Sequence, residues 1–190
     1  MKYFIHILFY LTMLSLLFPS SLLAEQKKEP ELVDIIITTS KSHLLLFATV
    51  KNCFTEDMVK GVHNGIPITF NFHVELDAVR SGWFDSTLVE TTLTHTLRYN
   101  SFKEEYEVVF SEKKGQAVTT RSLQKAKDLM AEVSGFQLIE RKKLVPDAPY
   151  ALKIKATLTE TTLPLGMHYI LPFTSFWNFE TDWRTIEFHY

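Results

Sequence analysis

The stretch IPITFNFHVELDAV, residues 66–79, decides the fold. Ile66, Ile68, Phe70, Phe72, Val74 and Leu76 alternate with Pro67, Thr69, Asn71, His73, Glu75 and Asp77. Side chains on a strand project to opposite faces with a period of two, so the pattern gives one dry face and one wet face. That alternation marks an antiparallel sheet, since a parallel sheet is covered on both sides. Downstream, residues 87–99 alternate too. Val89, Thr91, Leu93, His95, Leu97 and Tyr99 share one face, and Leu88, Glu90, Thr92, Thr94, Thr96 and Arg98 share the other. After a turn at Asn100-Ser101, Glu105 to Phe110 continues as a strand. Lys113-Lys114-Gly115 turns the chain again into Ala117 to Thr120, so the block reads as a meander.

Working outward, Leu32 to Thr39 and Leu44 to Lys51 read as two strands around Ser40-Lys41-Ser42-His43. They predict a hairpin, although the turn lacks an Asn-Gly or Asp-Gly signature. Tyr150 to Leu158 alternates as another strand, and in the aromatic tail Ile186, Phe188 and Tyr190 alternate. Two helices punctuate this series. Thr55 can cap one that carries Glu56 and Asp57 in its first turn and ends near Gly65. Ser122 can cap the other, in which Leu123, Ala126, Leu129, Met130 and Val133 form an apolar stripe before Gly135 stops it. A one-sided stripe is what a helix covering a sheet requires. The expected architecture is mainly β, of α+β type: an antiparallel sheet or sandwich of about seven or eight strands with two short helices.

The N-terminus carries an address. Lys2 precedes an apolar run from Tyr3 to Phe18, broken only by His6, Thr12 and Ser15; Pro19-Ser20-Ser21 and Leu22-Leu23-Ala24 follow. This is the layout of a secretory signal peptide with cleavage after Ala24. It predicts a periplasmic protein: residues 1–24 as signal, 25–31 as a charged flexible leader, and 32–190 as one β-rich domain. The apolar run is roughly 16 residues, at or just below the 17–25 that cross a bilayer, so an uncleaved anchor over residues 3–18 is the alternative.

The formal net charge of −2 excludes a strong basic footprint for nucleic acid. Cys53 is the sole cysteine, so no internal disulfide forms, and it reads as a small buried hydrophobe rather than a reactive thiol. No Gly-rich phosphate loop, GxSxG or HExxH pattern occurs, and no cofactor is expected. His73, Glu75 and Asp77 share a polar strand face at about 6.6 Å spacing, close enough to raise a metal site. With His95 they form the alternative of a metal-binding or acid–base centre on His73, Glu75 and His95. The pattern sets His73 and His95 on faces of different character, which leans against that centre. Exposed-looking aromatics supply the other candidate: Trp83, Phe84 and Asp85 in the 80–85 connection, with Trp177 and Trp183 in the tail, as a ligand or partner surface.

Gly65-Ile-Pro-Ile-Thr-Phe-Asn-Phe-His-Val-Glu-Leu76, then Trp83-Phe84-Asp85, then Thr92-Leu-Thr-His-Thr-Leu-Arg-Tyr99 resemble a bacterial family, the domain-of-unknown-function 4390 family. The later helix with Ala126 and the segment from Leu163-Pro164-Leu165 to Trp183 fit the same layout. The resemblance implies a signal peptide followed by one domain of this size, and a place in the cell envelope. It carries over no catalytic residue and no cofactor. The expected function is a non-enzymatic periplasmic binding or accessory module, partnered by an envelope protein or membrane-associated complex. An envelope enzyme on His73, Glu75 and His95 is the first alternative. A small outer-membrane barrel closed by the aromatic C-terminal strand is the second, and would require both helices to be absent.

Overall fold

The computed structural model describes residues 28–80, 82, 85–159 and 179–190. Among the described residues nine strands run β1 (Glu31–Thr39), β2 (His43–Lys51), β3 (Ile68–Ala78), β4 (Ser86–Asn100), β5 (Glu105–Phe110), β6 (Ala117–Thr120), β7 (Glu132–Glu140), β8 (Pro149–Leu158) and β9 (Arg184–His189). Helix α1 (Glu56–His63) follows β2, and α2 (Leu123–Ala131) follows β6. The described strands form two antiparallel sheets, one ordered β1-β2-β7 and one ordered β6-β5-β4-β3-β8-β9.

Residues 66–79 behave as their alternation demands. Ile68, Phe70, Phe72, Val74 and Leu76 are at most 1% exposed and sit at the centre of the larger sheet. The ladder starts at Ile68, because Pro67 has no amide hydrogen to give it. Their neighbours on β4 and β8 point the same way: Phe70 lies opposite His95 and Leu158, and Phe72 opposite Leu93 and Ala156. The smaller sheet turns Leu32, Leu44, Leu46, Ala48, Val50 and Val133 inward, and a single hydrophobic cluster unites these with the larger sheet, α1 and α2. The core therefore lies between the inward faces of the two sheets, with the helices completing its cover.

Local chemistry explains the punctuation. Ser40 does the work of the missing Asn-Gly: its Oγ accepts from the His43 amide at 2.9 Å, while its own amide donates to the His43 carbonyl at 2.8 Å. Thr55 Oγ1 accepts from the Met58 amide at 3.2 Å and Ser122 Oγ from the Lys125 amide at 3.3 Å, so both expected caps are made. Gly65 takes the left-handed conformation, φ 86°, just past α1.

The mainly β, α+β antiparallel class is the one expected, and one local expectation changes: residues 132–140 form β7, bringing the described strands to nine, where the helical spacing predicts a stripe on to Val133. The helix passes into the strand with no loop, and Val133 is buried by the sheet instead. Both helices are present, and the larger sheet is open, with β6 and β9 at its edges among the described residues.

Candidate functional site

The outward face of the larger sheet is polar from strand to strand. On β3 it carries Thr69, Asn71, His73 and Glu75; opposite them stand Thr96, Thr94, Thr92 and Glu90 on β4, and Thr157, Lys155 and Lys153 on β8. These groups pair sideways across the strands. Thr94 Oγ1 donates to Asn71 Oδ1 at 3.2 Å, and Asn71 Nδ2 donates to Thr159 Oγ1 at 2.7 Å. His73 bridges three strands: Nδ1 meets Thr92 Oγ1 and Nε2 meets Thr157 Oγ1, each at 3.2 Å. Burial, with help from the Lys155 charge and against that of Glu180, lowers the His73 pKa.

One end of this face concentrates charge. Lys153 Nζ donates to Asp77 Oδ2 at 2.8 Å and lies 3.9 Å from Glu75 Oε2. Asp77 is buried, 3% exposed, and the hydrogen bond from Lys153 holds its carboxyl below the usual range. The same bond raises Lys153, to which the charges of Glu75 and Asp85 add. Asp85 is exposed and accepts from the Arg80 amide at 3.2 Å, which keeps its carboxylate at this end of the sheet, within electrostatic reach of Lys153. One step along β8, Lys155 pairs with Glu180, and its ammonium stands 5.2 Å from the centre of the Trp183 ring. Trp183 is 43% exposed. The two described aromatic-site candidates, Asp85 and Trp183, thus flank the Lys153–Lys155 pair on one face. Trp83, Phe84 and Trp177 lie outside the described residues.

His95 is elsewhere. It points inward, fully buried, between the rings of Phe72 and Phe110 at 4.9 and 4.8 Å. Its Nδ1 donates to the Met130 carbonyl at 3.1 Å, and its Nε2 pairs with Glu112 Oε1 at 3.0 Å. Burial pushes the Glu112 carboxyl up. The hydrogen bond and charge of His95, with Lys113 and a backbone bond behind them, outweigh burial and hold it below its ordinary value. This pair ties the end of α2 to the meander; it does not face solvent.

His73 and Glu75 on one side of the sheet and His95 on the other do not converge. The physical reason is parity: positions 73 and 92 are cross-strand partners, so 95 falls on the face opposite to 92. Among the described residues no three His, Cys, Asp or Glu side chains are grouped to hold a metal ion. Cys53 donates to the Val50 carbonyl at 3.4 Å, and burial pushes its thiol up to about 12, so it packs rather than reacts. A shallow groove of about 680 Å³ lies beside the start of β9, lined by Lys28, Glu29, Asn52, Asp182 and Arg184; none of the sequence candidates lines it.

Sequence reasoning missed Lys153 and Lys155, whose importance comes from their register with β3, and Glu180, which bridges to Thr157 of β8. It also missed Glu112, which reaches His95 from a turn. The strand alternation at Lys153 and Lys155 was the one available signal for the first two.

The geometry defines a two-sheet antiparallel α+β domain with a charged, aromatic-flanked outer face. The family model described as Domain of unknown function (DUF4390) matches residues 27–187, and the chain belongs to that family. No curated protein and no solved structure matches the chain.

Proposed function

We propose that this chain is a non-enzymatic binding or accessory module of the bacterial cell envelope. In this reading it is exported by residues 1–24, cleaved after Ala24, and active in the periplasm. Its ligand-facing surface is the end of the larger sheet where Asp85, Lys153, Lys155 and Trp183 come together, and its partner is an envelope protein or membrane-associated complex. The observation that carries the reading is this cluster, in which Asp85 and Trp183 are exposed and Lys153 and Lys155 half-buried between them. Charges of both signs and one accessible indole sit on a sheet face stiffened by cross-strand hydrogen bonds, which lowers the ordering cost of binding. The titratable groups that could have suggested chemistry support it too, since His95 is sealed in the core while His73 is engaged by two threonines. If residues 3–18 remain attached, the same surface works from an inner-membrane tether.

A photoreactive side chain placed at Thr185, opposite Lys153 on β9, tests the surface in cells producing the full chain. A discrete adduct is expected, and Lys155→Glu should remove it by reversing the charge beside Trp183. Absence of any adduct at Thr185, or an adduct indifferent to Lys155→Glu, would refute this surface. Intact mass of the protein recovered from the periplasmic fraction checks the address: a species beginning at Glu25 is expected, and full-length protein in the inner membrane would select the tether.

A further inference from the structure

The smaller sheet turns a different kind of surface outward. Val33 pairs with Thr49, Ile36 with Phe47, and Thr38 with Leu45, so these six residues share the face opposite Leu32, Leu46 and Val50. Val33, Ile36, Leu45 and Phe47 take no part in the hydrophobic core. Ile36 is 55% exposed, and the Phe47 ring extends toward Gly135 of β7, where an added Cβ would stand 3.6 Å from it. Four apolar side chains thus form a stripe across β1 and β2, on a face where alternation ordinarily places polar residues. Among the described residues nothing from the core covers it. Ile36 is the exposed member and Val33, Leu45 and Phe47 are half-buried; an apolar stripe of this kind rimmed by charge suits an interface.

The rim says what fits. At the hairpin end of the sheet stand Lys41, Arg141, Lys142 and Lys143, with Glu140 as the carboxylate among them. At the other end stand Glu29, Glu31, Asp34 and Glu132, with Lys28 and Lys51 as the cations among them, so this end is acidic on balance. A surface that is apolar in the middle, basic at one end and acidic at the other is complementary to itself. When two copies meet face to face about a two-fold axis lying across the strands, β1 packs on β1 in the opposite direction. Ile36 and Phe47 then meet their own counterparts, and each basic end covers an acidic end. A lipid surface would fit the apolar stripe but gains nothing from the acidic end.

We infer that the outward face of the β1-β2-β7 sheet is the contact surface for a second copy of this chain, packed with its strands antiparallel to the first. In this arrangement Val33 of one copy faces Thr38 of the other, across the roughly 10 Å that separates packed sheets.

Cross-linking in cells producing the full chain tests it. In a Cys53→Ala background, Val33→Cys and Thr38→Cys are combined, and a bismaleimide of about 10 Å reach is added. The bulge between Val33 and Ile36 makes their span equal to that from Thr49 to Leu45, so the two thiols lie about 13 Å apart within one strand, beyond that reach. A band at twice the chain mass is expected from the double variant, and little from Thr38→Cys alone. Ile36→Lys should abolish the band while leaving the single chain folded, since within one copy this side chain is already exposed. Lys143→Glu should weaken it, and Glu132→Lys in the same chain should restore it. The inference is overturned if the double variant gives no band, if Thr38→Cys alone links as well, or if Ile36→Lys leaves the band intact. It is also overturned if Ile36→Lys instead releases an uncross-linked chain from membranes. None of these outcomes depends on Lys155 or Trp183, so this inference and the proposed binding face stand or fall separately.

Discussion

The outward faces of the two sheets are built from the same backbone pattern and carry opposite chemistry. On the larger sheet the outward row of β3 reads Thr69, Asn71, His73, Glu75, and each member finds a partner on a neighbouring strand. On the smaller sheet the outward row of β2 reads His43, Leu45, Phe47, Thr49, and its apolar members lie outside the core. The inward rows of both strands, by contrast, are alike: Phe70, Phe72 and Val74 on β3 match Leu44, Leu46 and Ala48 on β2. Inward chemistry is fixed by folding and says little about function. The outward rows are free to differ, and the difference separates a face satisfied by its own cross-strand pairs from one that still has apolar area to bury.

The largest expected effect strikes what the sheets share. Phe70→Ala removes a fully buried ring in contact with Phe54 and Phe179, and should cost about 3–5 kcal/mol in urea unfolding. Because one cluster joins both sheets, the loss should appear in a single cooperative transition. Two separate transitions would show that the sheets fold apart, and would sharpen the contrast between them into one of independent units.

Next in size is the polar face. Asp77→Asn should cost about 1–3 kcal/mol near neutral pH, since it deprives Lys153 of its main partner at a buried position. The pH dependence follows from the direction of the shift. Asp77 has a lower pKa folded than unfolded, so its contribution is fully present above the unfolded value, about 3.9, and is lost as pH falls through the folded value. Lys153 has the reverse sign: its folded pKa is raised, so its contribution is present below about 10.4 and is lost as pH rises through the folded value. Thermal midpoints across pH should therefore fall at both extremes, and Asp77→Asn should flatten both limbs. Unchanged limbs would show that the Lys153–Asp77 pair contributes nothing to the stiffness assigned to this face.

The smallest effect belongs to the apolar face. Ile36→Thr should change monomer stability by no more than about 0.5 kcal/mol, because the side chain is 55% exposed and outside the core. A loss of several kcal/mol would mean that this face packs against the chain itself, and the contrast between the two outward surfaces would disappear. The thiol offers a check on the shared interior: Cys53 should label with iodoacetamide only at the rate at which the protein opens, and rapid labelling would contradict its burial.

Much of the fold is legible in the sequence because β3 and β4 alternate without interruption and Thr55 and Ser122 announce their helices. β7 is not. Its approach from α2 continues a helical stripe through Val133, and its own alternation is broken by Gly135 at φ 68° and by register shifts against Leu44–Ala48. The apolar outward face is hidden for another reason. Residues 44–48, Leu-Leu-Leu-Phe-Ala, form a continuous apolar run, and such a run does not say which side faces the core. Of the candidate site, the parity of His73 against His95 could be read from alternation, and the separation of the two follows from it. The Lys153–Asp77 and His95–Glu112 pairs could not, because both depend on long-range register or on a turn that brings Glu112 back over the sheet.

The most direct test of two distinct working faces is photo-cross-linking from both in the same producing cells, with probes at Thr92 and Thr185 on the larger sheet and at Thr38 and Thr49 on the smaller. Adducts with another molecule from the first pair and adducts at twice the chain mass from the second are the result this account predicts. The same adducts from all four positions, or none from either face, would contradict it.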